Sequence, residues 1–149
     1  MHHKNEKSIM TDELLHAITK AKRIDDFLQE HESDMKYVDL KSYLYDLLEQ
    51  ANLTIPQIIE KASISKSLAY QIFSGQRNPN RNLILRISLV MKLSLDDTQR
   101  LLRLSKKGEL YPRIQRDAAI IFCITNNYSL IDTNELLENL GEAILLKEE

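Results

Sequence analysis

Five polar side chains on one predicted helix form the group in this 149-residue chain best suited to chemistry with a partner. Between a capping Ser65 and a terminating Gly75, Lys66, Ser67, Tyr70, Gln71 and Ser74 fall at i, i+1, i+4, i+5 and i+8, along one face. Leu68, Ala69, Ile72 and Phe73 occupy the opposite face and must pack against neighbours. The polar set matches the hydrogen-bonding edges of a nucleic-acid groove. Lys donates to guanine, Gln pairs bidentately with adenine, and Ser and Tyr are adaptable donors.

Other chemistries lack their parts. Cys123 is the single cysteine, so neither a disulfide within the chain nor a Cys-built zinc cage is expected. Gly75, Gly108 and Gly141 lie too far apart for a Gly-rich phosphate loop. His2, His3, His16 and His31 show no His-Glu-x-x-His spacing, and no Ser-His-Asp or Cys-His arrangement is visible. Carboxylates are spread along helix faces rather than paired. The expectation is a protein that is not an enzyme and needs no cofactor or metal. Tyr111-Pro112-Arg113 with Arg116 reads as a proline-fixed helix start with solvated arginines, and Cys123 as a small core residue.

Charge is unevenly distributed. Lys plus Arg number 20 against 22 Asp plus Glu, a net charge of −2 that as a whole points away from nucleic acid. Residues 1–52 carry net −4 and residues 94–149 net −3, whereas residues 53–93 carry net +5 from Lys61, Lys66, Arg77, Arg81, Arg86 and Lys92 against Glu60. The basic segment contains the polar-faced helix, and phosphate neutralisation is the usual main source of nucleic-acid affinity.

The elements that must position this face are helical almost throughout. Leu14, Leu15 and Ile18 mark a first helix with Thr11 or Asp12 as N-cap, and Phe27 and Leu28 a short second one after Asp25. Residues 29–39 read as a connection. Leu40, Tyr43, Leu44, Leu47 and Leu48 define a strong amphipathic helix. Thr54-Ile55-Pro56-Gln57 has the capping-box pattern and starts a helix ending near Ser63. After the polar-faced helix, Asn80 caps one running to about Leu93, and Ser94 starts another ending before Gly108. A final hairpin spans about Arg116–Asn126 and Leu130–Leu140, with Leu136, Leu137 and Leu140 inward. No segment of real length alternates with period two, so the fold class is all-α. The Asn80-capped helix carries more apolar residues (Leu85, Leu89, Val90) than one core face needs, as does Ala118–Ile124. The C-terminal helices are expected to dock and complete the core, with part of the surplus left for a homodimer interface. No stretch reaches the ~20 apolar residues of a membrane span. Residues 1–7 lack the apolar core of a signal peptide, Met10 is a second candidate start, and the cytoplasm is the expected compartment.

From Leu40 to about Leu102 the chain resembles the XRE family of bacterial and phage repressors, with its Cro-like five-helix DNA-binding domain. The resemblance rests on Leu53-Thr54, Ile58, Ile64-Ser65-Lys66-Ser67, Ile72, Gly75-Gln76-Arg77-Asn78-Pro79 and Leu93-Ser94-Leu95 in order. It implies base-reading roles for Lys66, Ser67, Tyr70 and Gln71, and phosphate contacts by Thr54, Gln57, Ser74, Gln76, Arg77, Asn78 and Arg81. It further implies double-stranded DNA as partner, a homodimer on paired half-sites, and a helix-turn-helix domain over 40–104. That domain would lie between helical extensions over 1–39, whose first ten or so residues are a candidate disordered leader, and 105–149. The chain departs from the family pattern at Ile55, where Gln commonly braces a phosphate contact, and at Ser63, where Gly usually makes the turn. Phe73 replaces a Glu and implies an extra hydrophobic partner. The alternative function is a non-catalytic protein-interaction module on the same scaffold.

Overall fold

A computed structural model describes residues 11–32 and 39–146. The chain divides into two compact units, Met1–Val38 and Asp39–Glu149. The described residues form nine helices and no strand, so the chain is all-α. None of these helices is long and apolar enough to cross a membrane. The expected leader, with its candidate start Met10, and positions 33–38 of the expected connection lie outside the described residues.

The first unit contains α1 (Thr11–Lys20) and α2 (Ile24–Glu30). Thr11 is already helical here, not the cap. Phe27 is buried against the ring of His31, 4.7 Å away between centroids. α2 begins just before Asp25, with Arg23 at the N-cap and no side-chain cap. Asp25 and Asp26 sit in its first turn, where carboxylates favour the positive end of the helix dipole.

The second unit contains α3 (Leu40–Ala51), α4 (Ile55–Ala62), α5 (Lys66–Phe73), α6 (Arg81–Met91), α7 (Leu95–Leu104), α8 (Gln115–Thr125) and α9 (Leu130–Asn139). Its boundaries have a repeated physical cause. Asp39, Thr54, Ser65, Asn80, Ser94 and Ser129 each accept the N–H of the residue three positions on. At α4 the cap is reciprocal, because the Gln57 side chain also accepts the Thr54 N–H at 2.9 Å. α8 alone in this unit starts without a side-chain cap, after Ile114. Left-handed residues then end α3, α4 and α6: Asn52 (φ 58), Ser63 (φ 54) and Lys92 (φ 57). Each is followed by an N–H that bonds five residues back, at Leu48, Ile59 and Ser88, satisfying a terminal carbonyl.

The core centres on α6, which packs against α4, α7 and α9. Leu83, Ile84, Leu85, Ile87, Leu89 and Met91 are all buried. The chain's own helices therefore cover most of the apolar surplus of α6, including Leu85 and Leu89, while Val90 is half-buried. The C-terminal helices complete this unit's core with Ala119, Ile120, Cys123, Ile124 and Leu137, and the segment after α9 adds Leu145. Burial raises the Cys123 thiol above its ordinary pKa. Leu140 does not point inward as expected: it is 43% exposed because it is the C-cap residue of α9, where the chain turns through Gly141 (φ 77). Leu136 is half-buried. A hydrogen bond of 2.7 Å from the Tyr43 hydroxyl to Asp97 ties α3 to α7, with the Arg100 guanidinium 4.7 Å from the Tyr43 ring centroid. Burial, reinforced by Asp97, raises the Tyr43 hydroxyl's pKa well above its ordinary value.

Candidate nucleic-acid interface

Two eight-residue helices, α4 and α5, are joined by Ser63, Ile64 and Ser65. The joint is fixed from both sides. Ser63 takes the left-handed conformation that ends α4, Ile64 is buried, and Ser65 accepts the Leu68 N–H at 3.1 Å to begin α5. Leu68, Ala69, Ile72 and Phe73 anchor α5 in the core. α5 packs on α3 and α4, so its polar face is carried on a fixed support.

On that face Lys66, Ser67 and Tyr70 are exposed, and their side chains have no hydrogen-bond or ionic partner among the described residues. Tyr70 is 42% exposed, an amphipathic ring left toward solvent. Gln71 is half-buried, and its backbone carbonyl organises the following loop. It accepts the Gln76 N–H at 2.9 Å, the Arg77 N–H at 3.1 Å and the Ser74 hydroxyl at 3.2 Å. Ser74, Gln76 and Arg77 are exposed. Gly75 at φ 85 makes this loop possible, since side-chain-bearing residues rarely take that conformation.

The expected phosphate-facing residues separate into two groups. Thr54 and Gln57 are exposed and held together by the capping box. With its Oε1 accepting from Thr54, the Gln57 amide nitrogen is left outward without a partner among the described residues. Gln76 and Arg77 are likewise available. Asn78 and Arg81 instead serve the fold. Asn78 donates to the Ser105 carbonyl at 3.0 Å. Arg81 donates to both carboxylate oxygens of Asp117 at 3.2 and 3.0 Å, and to the Gly108 and Glu109 carbonyls. Asp117 also accepts the Tyr111 N–H at 2.9 Å. Arg86, counted in the basic segment, is 4% exposed, so its charge is not part of any surface.

Sequence reasoning passed over Lys41 because it lies in the acidic N-terminal segment. It is exposed, and a Cβ placed on Gly75 would lie 3.6 Å from its Cδ, which brings this cation beside the α5–α6 loop. No local spacing signals this proximity, which arises only where α3 packs on α5. No Asp or Glu occurs between Glu60 and Asp96, so α5 and its loops carry cations without neighbouring carboxylates in the chain. Such a face can donate hydrogen bonds to phosphate oxygens and to base edges.

Two of the departures from the family pattern have local explanations. Phe73 is fully buried and meets the Tyr45 ring edge-on at 6.0 Å, so its hydrophobic partner is within the chain. Ser63 adopts the left-handed turn that Gly would take without strain. Among the described residues, no group of three His, Cys, Asp or Glu side chains is placed to hold a metal ion. No family model, curated protein or solved structure matches this chain.

Proposed function

We propose that this chain is a sequence-specific, DNA-binding transcriptional regulator of the XRE helix-turn-helix type. In this reading α4 and α5 are the helix-turn-helix pair within a Cro-like five-helix domain formed by α3 to α7. α5 enters the major groove. Lys66, Ser67, Tyr70 and Gln71 read base edges, while Thr54, Gln57, Ser74, Gln76 and Arg77, joined by Lys41, contact phosphates. The observation that carries the reading is the contrast on α5: a fully packed apolar face, and a polar face whose exposed Lys66, Ser67 and Tyr70 have no partner among the described residues. The protein acts by occupying or recruiting at a promoter, without catalysis, in the cytoplasm.

Paired half-sites call for a homodimer. With α6 covered by the chain itself, α8 and the start of α9 offer exposed apolar surface for this purpose. Ile114 is 51%, Phe122 49% and Ile131 79% exposed. The interaction-module alternative loses the support of Phe73, which faces the core.

The test is binding to DNA fragments from the region upstream of the protein's own gene at several salt concentrations. A tight site with a steep salt dependence is expected. Lys66→Ala or Gln71→Ala should cost roughly 1–3 kcal/mol at that site and relax its preference, while Arg77→Ala should weaken all sequences alike. Binding no stronger than to random DNA at moderate salt would refute the proposal.

A further inference from the structure

The segment after α9 has no regular secondary structure, yet side chains from three helices hold its backbone. Arg116 of α8 donates to the Ala143 carbonyl at 2.8 Å and to the Ile144 carbonyl at 3.3 Å. Arg86 of α6 donates to the Leu145 carbonyl at 2.6 Å. Asn134 of α9 accepts the Leu145 N–H at 2.8 Å and reaches its carbonyl at 3.5 Å. Among the described residues no backbone–backbone hydrogen bond involves positions 143–146. Leu145 is fully buried, while its neighbours Ile144 and Leu146 are 37% and 55% exposed.

This is the geometry of peptide recognition. Main-chain groups are captured by preset donors and acceptors, one side chain fills a pocket, and the flanking side chains are not read. Arg86 and Asn134 supply a matched acceptor and donors to a single residue, and Arg86 is also held by a group outside the segment. Its guanidinium also donates through two nitrogens to the Ala62 carbonyl at the end of α4. Arg116 is likewise braced, by the Asn82 side chain at 3.1 Å. The segment joins α9 through Gly141 (φ 77), a residue with open space around it.

We infer that Arg86, Arg116 and Asn134 form a binding site for an extended peptide with leucine at its anchoring position, occupied in cis by residues 143–145. The ligand class is a short apolar strand recognised by its backbone and one buried side chain. Because Arg86 bridges Leu145 to Ala62, occupancy of the site is linked to the carbonyl from which the Ser63–Ser65 turn departs. The inference is independent of whether α5 meets DNA, since its readouts are peptide binding and thermal stability.

The experiment uses the full chain carrying Leu145→Asp, which places a charge in the pocket and expels the cis segment. The probe is a fluorescent nonapeptide of the sequence Gly-Glu-Ala-Ile-Leu-Leu-Lys-Glu-Glu. Peptide anisotropy should show binding to this variant at least about tenfold tighter than to the unaltered chain, whose tethered segment competes at an effective concentration of about millimolar. Replacing the anchoring leucine of the peptide with alanine should weaken binding at least about tenfold. Adding Asn134→Ala to the variant should remove binding. Equal binding to the unaltered chain, or no binding to a folded Leu145→Asp variant, would overturn the inference. If circular dichroism shows that variant unfolded, Leu145→Ala takes its place. The peptide should then raise its melting temperature by a few degrees at saturation, and an unchanged melting temperature would equally overturn the inference.

Discussion

The exposed face of α5 and the clamp around Arg81, Arg86 and Arg116 use the same kinds of side chain in opposite ways. On α5, Lys66 and Tyr70 reach solvent and have no partner among the described residues. In the clamp, every arginine has multiple acceptors, most of them backbone carbonyls in turns and helix ends. A guanidinium carries donors in a fixed fork, so it can satisfy several carbonyls at once. The basic charge of residues 53–93 is thus divided between exposed cations that can meet an anion and a brace, Arg81 and Arg86, whose donors are engaged within the chain. The structural distinction lies in partners, and it can be attacked residue by residue.

The largest effect is expected from Arg86→Ala. The change removes a buried cation and leaves the Ala62 and Leu145 carbonyls without these donors, at ~1–3 kcal/mol per unsatisfied group. Urea unfolding followed by circular dichroism should show a loss of ~3–5 kcal/mol, with the proposed DNA binding falling as the fold weakens. By contrast, Lys66→Ala should change stability by no more than ~0.5 kcal/mol, as for other exposed substitutions without partners. Similar stability losses for both variants would erase the contrast between brace and surface.

A sharper test compares two arginines of the same loop region. Arg81 is paired with Asp117, whose side chain is 5% exposed, whereas Arg77 is exposed. Arg81→Ala leaves that carboxylate with only the Tyr111 N–H as a partner among the described residues. A loss of ~1–3 kcal/mol is expected, below the full cost of breaking a buried pair because Arg81 itself is partly solvated. Arg77→Ala should leave the urea midpoint nearly unchanged and act on DNA affinity and its salt slope. If Arg81→Ala instead reduced DNA affinity with stability intact, its assignment to the brace would be wrong.

These two arginines also show what was legible in the sequence. The helix starts at Thr54, Ser65, Asn80 and Ser94 were readable because these residues are local signals, each acting on a backbone N–H three residues away. The α5 face was readable for the same reason, from its apolar period. What was not readable lies far along the chain. Arg81 meets Asp117 across 36 positions and Arg86 meets Leu145 across 59, and no local spacing encodes such pairings. Lys41 escaped notice on the same ground, since only folding brings α3 beside Gly75.

A smaller effect is expected at Ser63, exposed like the α5 face but in a left-handed backbone conformation at φ 54. For a residue with a Cβ this region costs roughly 1–2 kcal/mol. Glycine relieves that strain but adds entropy to the unfolded chain. Ser63→Gly should therefore raise stability by roughly 0.5–1 kcal/mol and leave DNA affinity unchanged. A fall in stability would mean that the Ser63 side chain serves the turn in some other way.

The smallest effect separates partners from burial. Asp39 is fully exposed, yet its side chain accepts the Ser42 N–H at 2.8 Å at the start of α3. That backbone hydrogen bond is the main cause holding its carboxyl below the ordinary value of 3.8. A carboxyl whose folded pKa is depressed stabilises the fold fully above its unfolded pKa. The contribution then fades as pH falls through the folded value. Asn is about as good an N-cap as Asp and does not titrate. The stability difference between the unaltered chain and Asp39→Asn should thus be constant at neutral and mildly acidic pH. Below the ordinary value near 3.8 it should shift against the unaltered chain, as read from paired urea midpoints. A difference that stays constant down to the acid limit would show that the Asp39–Ser42 contact contributes nothing, and that in this fold only burial gives a polar side chain structural weight.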